Sequence, residues 1–185
     1  MALNSSGPIS LSGSVIGESI YKELETLYKP GGGNVTSSIS LQDKWVTALA
    51  QKAAGTSVST SDLYSKSKTM TNATLDKNTT SQTGTSSSTI TVTTSAGNRV
   101  TVTVTGGLFP YTYSWTRISG TSAITATSTT SRTTGFTASV TPCTQLNATF
   151  KCIVTDFSGA TIDSDTVDVT LTNNGTAPGD PPCTL

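Results

Sequence analysis

The sequence contains no histidine, and only 12% of its 185 residues are charged. Without imidazole it lacks the side chain best suited to proton transfer near neutral pH, which is also the commonest metal ligand. No nucleophile stands beside a base that could activate it. The one glycine run, Gly31-Gly32-Gly33, falls between two predicted helices and lacks the lysine of a nucleotide loop. These deficits point away from catalysis, and no cofactor or metal is expected. Eleven basic residues balance eleven acidic ones, so the electrostatic footprint that a phosphate backbone demands is missing and nucleic acid is excluded as a partner. No run approaches the roughly 20 apolar residues of a membrane span. The opening MALNSSGPIS has neither the basic leader nor the apolar stretch of a signal peptide. A soluble chain, made without a cleaved signal and not inserted in a membrane, is the expectation. Cysteine is scarce too: Cys143, Cys152 and Cys183 are too few for a disulfide framework, although one bridge stays open.

What the chain has in excess is serine and threonine, together roughly a third of it, well above ordinary usage and favourable to β-structure. Its length suits one domain of about 100 residues plus a smaller unit. Residues 1 to about 13 combine Ser, Gly and Pro with spaced apolar side chains, which suits an extended arm. Ile20, Leu24 and Leu27 then recur at helical spacing until Pro30-Gly31-Gly32-Gly33 stops them, predicting a helix over 17–28. Ser40 and Asp43 make a capping-box start, and Leu41, Trp45 and Leu49 form a stripe ending at Gly55, predicting a second helix over 41–53. A single turn follows within 58–64. The plain reading of these apolar positions, Trp45 and Tyr64 included, is a small shared core. Residues 66–88, dominated by Thr, Ser and Asn, read as a linker, so the first unit is placed at 1–65.

From Thr89 onward, β-branched residues alternate with Thr between turn signals. ITVTTSAG, RVTVTVTGG, YTYSWTRISG, GFTASV, ATFKCIVT and VDVTLT each read as a strand. The inward positions are Phe136, Ala138 and Val140; Phe150, Cys152 and Val154; Val167, Val169 and Leu171. Six or seven short strands over 89–172 form a sandwich pattern. Residues 173–185, with three prolines, read as an exposed tail.

Trp115 in the third strand and Phe150-Lys151-Cys152 in the penultimate one form the strongest constellation. It resembles the immunoglobulin superfamily, in which a core Trp packs beside a Cys of strand F. Trp115, Phe150 and Cys152 are accordingly assigned to the sandwich core. Val102 and Val104 occupy the strand where the family places its second core cysteine, so the inter-sheet disulfide cannot form. Phe150 replaces the tyrosine of the family's tyrosine corner. The fold class expected is mainly β: an immunoglobulin-like antiparallel β-sandwich preceded by an extended arm and a small helical module. Cys152 is expected as a small hydrophobe, and Cys183 as a free thiol, with Cys143 or a neighbouring chain as alternative partners. Asp156, Asp163, Asp165 and Asp168 match no defined calcium loop and read as solvated strand-edge charges. Sequons at Asn72, Asn147 and Asn174 arise by chance in so Thr-rich a chain.

The opening resembles something specific. MALNSSGPISL, Gly17-Glu18-Ser19-Ile20, Ile39-Ser40-Leu41-Gln42-Asp43 and Leu63-Tyr64-Ser65-Lys66-Ser67 are similar to the start of small virion proteins of tailed bacteriophages. In that family such a module is often followed by an immunoglobulin-like domain. The resemblance implies a virion structural protein assembled in the host cytoplasm, associated with tail, baseplate or fibre. Its partners would be other virion proteins and further copies of itself, with weak contact to host-surface glycans. Leu3, Ile9, Leu11, Ile20, Leu24 and Trp45 would anchor it, and the sandwich would project. Two alternatives stand beside this reading. One is a capsid decoration protein. The other is a carbohydrate-binding sandwich using Phe109, Tyr111 or Tyr113, which would need a solvent-exposed coplanar pair of rings; those aromatics otherwise read as packing.

Overall fold

The computed structural model describes residues 3, 20, 28–29, 33–34, 41 and 44–184, and the chain divides into two compact units. The first takes in the described residues up to Asn72, together with Val104–Thr112 and Val154–Ile162. A two-residue strand, β1 (Tyr28–Lys29), pairs antiparallel with β2 (Gly33–Asn34). Tyr28 therefore lies in a paired strand and not at the end of a helix. Ile20 is helical and buried; the rest of the predicted 17–28 helix up to Leu27 lies outside the described residues. The second predicted helix is shorter than expected. Helix α1 spans Lys44–Leu49, and Gln51, with φ of 59°, turns the chain out of it. A 3-10 turn, Thr60–Leu63, supplies the expected single turn. Asp62 accepts from the Ser59 backbone N–H and from Lys52 Nζ, each at 2.7 Å.

The core of this unit gathers Leu3, Ile20, Trp45, Val46, Leu49, Leu63 and Leu108, and Phe157 packs edge-on against Trp45 at 4.9 Å. Leu108 and Phe157 come from far along the chain, so a boundary at residue 65 is wrong for this unit. The physical reason is supply: a short helix and a single 3-10 turn carry too little apolar surface to close a core by themselves.

The second unit comprises Ala73–Thr103, Tyr113–Ile153 and the described residues from Asp163. The segment expected as a linker folds instead. It forms β3 (Met70–Leu75) and β4 (Thr79–Gly84). The remaining strands are β5 (Ile90–Thr93), β6 (Val100–Gly106), β7 (Thr112–Gly120), β8 (Thr125–Ala126), β9 (Thr133–Thr134), β10 (Phe136–Val140), β11 (Thr144–Thr155) and β12 (Thr161–Asn173). One sheet has the order β4-β12-β11-β7; the others run β5-β10-β8 and β3-β6-β9. The first strand region is thus shared out. β3 joins β6, while β4 runs parallel to β12, from Thr79 beside Asp168 to Gly84 beside Asn173. With β7, β11 and β12 as neighbours in the C-F-G order, this is an immunoglobulin-like sandwich. The parallel β4–β12 pair is a departure from the all-antiparallel sheets expected.

Aromatic rings join the layers. Phe136 of β10 meets Phe150 of β11 at 4.7 Å and Trp115 of β7 at 6.2 Å. Trp115 donates from Nε1 to Ser131 O at 2.9 Å, which satisfies its one polar atom. All three assigned core residues, Trp115, Phe150 and Cys152, are buried as expected.

Candidate functional site

Three of the six residues expected to anchor the chain are found in its own interior. Leu3, Ile20 and Trp45 are each at most 2% exposed; they hold the first unit together, which corrects their assignment as contact residues. The Leu3 N–H donates to Lys66 O at 2.7 Å. Ile9, Leu11 and Leu24 lie outside the described residues, as do Ser40 and Asp43.

The aromatic site fares no better as a binding platform. Phe109 and Tyr111 stand at 89° to each other, so they offer no coplanar face. Tyr111 donates its hydroxyl to Gly106 O at 2.6 Å and accepts from Gln51 Nε2 at 2.9 Å. Tyr113 is half-buried, and desolvation raises its phenol above the ordinary value. The loop is held by a buried carboxylate. Asp156 accepts from the Leu108 N–H at 3.1 Å, and from the Ser158 N–H, the Ser158 hydroxyl and the Ala160 N–H at 2.9, 2.6 and 3.1 Å. Gly107, with φ of +80°, sits where an added Cβ would strike Met70, so the loop needs glycine there.

The other acidic residues separate. Asp163 pairs with Lys151, Asp165 is exposed, and Asp168 accepts from Thr149 Oγ1 at 2.8 Å. Among the described residues no three His, Cys, Asp or Glu side chains come together as a metal site. The cysteines resolve differently from expectation. Cys143 and Cys183 form a disulfide with Cα atoms 5.3 Å apart, so Cys183 is not a free thiol and the tail is tethered. Gly175 O accepts from the Cys143 N–H at 2.8 Å, adding a second tie. Cys152 is free and buried, and burial pushes its thiol up to about 11.

What the sequence reading missed is a polar groove on the β4-β12-β11-β7 sheet. A depression of about 360 Å³ lies over Ser119 and Gly120 of β7, Asn147 and Thr149 of β11, and Asp168 and Thr170 of β12. A second, of about 240 Å³, shares Asp168 and Thr170 and continues over Thr79 and Ser81 of β4. Two rungs cross β11 and β12: Thr149 Oγ1 donates to Asp168 Oδ1, and Thr170 Oγ1 donates to Asn147 Oδ1 at 2.9 Å. The available signal was the every-second-residue run of polar side chains, Asn147-Thr149 and Asp168-Thr170, opposite the buried Ala148, Val167 and Val169.

No family model and no curated protein matches the chain. Among solved structures it is similar to the PKD domain of human KIAA0319, at 16% identity over 62% of this chain and 91% of that one, with a TM-score of 0.33. A nucleoside hydrolase-related protein from Saccharophagus degradans, described as associated with carbohydrate metabolism, aligns at 10% identity over 62% of this chain and 28% of that one, with a TM-score of 0.35. At these scores neither similarity carries an argument about function, and the fold assignment rests on the strand order.

Proposed function

We propose that this chain is a non-catalytic structural component of a tailed-phage virion, associated with tail, baseplate or fibre. In this reading it is assembled in the host cytoplasm, works alongside other virion proteins and further copies of itself, and offers its sandwich for assembly or host-surface contact. The observation that carries the reading is the organisation of the opening segment. Leu3 and Ile20, which belong to the residues resembling the virion-protein module, have their side chains in the core of a unit distinct from the immunoglobulin-like one. An opening segment packed into a core of its own, in a unit that also takes in Val104–Thr112 and Val154–Ile162, supports the module-plus-sandwich reading. Cryo-electron microscopy of intact particles from the source tests it. Density for the sandwich at the tail is the expected result. Density on the shell would favour capsid decoration, and absence from every particle would overturn the reading.

A further inference from the structure

We propose that the groove across β4, β12, β11 and β7 binds a short neutral saccharide, with Asp168 and Asn147 as its principal hydrogen-bonding residues. The geometry supplies a matched pair of polar groups. Thr149 engages one oxygen of Asp168 and Thr170 engages the oxygen of Asn147. Each rung fixes its partner's orientation and leaves one atom over: among the described residues, Asp168 Oδ2 has no donor and Asn147 Nδ2 has no acceptor. A free acceptor and a free donor lining one depression complement the hydroxyls of a single ligand, each of which can give and take a hydrogen bond. The Ser119 hydroxyl, at the β7 end, adds another adaptable group.

The shape agrees with such a ligand. The groove crosses four neighbouring strands, a run of about 14 Å at about 4.8 Å per strand spacing, which accommodates two or three linked sugar rings. Gly120 keeps the β7 end low. Its φ is +82°, and a Cβ there would fall within 2.4 Å of Asn147 O. Charge is balanced across the groove: Asp168 is its carboxylate, and the Lys77 ammonium, which donates to Gly97 O and Arg99 O, lines its β4 end. With one charge of each sign the groove gives an acidic chain no net attraction, and hydroxyls are the groups it is matched to.

This inference deepens the proposed function by naming a site and ligand class for surface contact, and rests on it only for the biological setting. Binding by the purified chain and position in a particle are separate measurements, so they fail separately. The ¹⁵N-labelled full chain would be titrated with maltotriose, cellotriose, mannotriose and chitotriose. The expected result is amide shifts at Gly120, Asn147–Thr149 and Asp168–Thr170 with at least one of them, at the millimolar affinities typical of a shallow polar site. Asp168→Ala and Asn147→Ala should each weaken binding about tenfold while leaving amides outside the groove in place. Thr149→Val should weaken it less, by releasing the Asp168 carboxylate. Absence of shifts with all four sugars, shifts confined to Phe109–Thr112, or binding undiminished in both alanine variants would overturn the proposal.

Discussion

In the first unit the core is assembled from side chains distant in sequence, Leu3, Trp45, Leu63, Leu108 and Phe157. In the second it is read off single strands in alternation, as with Val167, Val169 and Leu171 of β12. A core of the first kind depends on a few large residues delivered by a helix, a 3-10 turn and loops. A core of the second kind depends on register, and spreads its burial over many small side chains whose loss is individually modest. The exception in the second unit is its aromatic centre, where Phe136 touches both Trp115 and Phe150.

That exception gives the largest expected effect. Phe136→Ala should destabilise the sandwich by about 3–5 kcal/mol, read as a drop in denaturation midpoint; a loss like that of Ile→Val would mean the rings are not the keystone. Leu108→Ala comes next, at about 2–4 kcal/mol. Its signature should be faster hydrogen exchange at amides within 44–66, since Leu108 is a fully buried member of that cluster; unchanged exchange there would break the contrast between the two kinds of core.

Reducing the Cys143–Cys183 bridge releases a constraint across 40 residues of sequence. Chain-entropy reasoning gives about 2–4 kcal/mol for such a loop, measurable as a lower midpoint in reductant and absent in a Cys183→Ser variant. The smallest effect is on pH. The folded Cys152 thiol lies above its unfolded value, so the neutral form is favoured by folding. Its contribution is complete below the unfolded thiol range and fades as pH climbs through about 9 toward 11. Alkaline denaturation compared between the parent chain and Cys152→Ala should show a shallower decline in the variant over that window.

The two regions were unequally legible. The strands β5, β6, β10, β11 and β12 announce themselves because Val, Ile and Phe alternate with polar residues, and the structure buries most of the alternate set, whereas β7 is marked by Tyr113 and Trp115 on one face. β3 and β4 do not, because they bury only Met70, Ala73 and Thr80, and a strand whose inward residues include Thr and Ala gives no hydrophobic period. The first unit's core was legible at Trp45 and Leu49, which share a helical stripe, but not at Leu108 or Phe157, since nothing local ties a loop residue to a helix so far back in the sequence. The Cys143–Cys183 pairing escaped for the same reason. In the groove, Asp168 was visible as a charge, whereas its orientation by Thr149 depends on the register of two long strands, which spacing alone does not set.

The parallel pairing of β4 with β12 has a mechanical consequence. Tension applied between the chain entering β4 at Thr79 and the chain leaving β12 at Asn173 draws the two strands along each other, because they point the same way. All the rungs from Asp168 to Asn173 then carry load together in shear, where an antiparallel pair held at one end would open rung by rung. The tether at Cys183 diverts part of any pull on the final residues into Cys143, ahead of β11. A sandwich wired in this way is built to be tugged at its ends without unzipping.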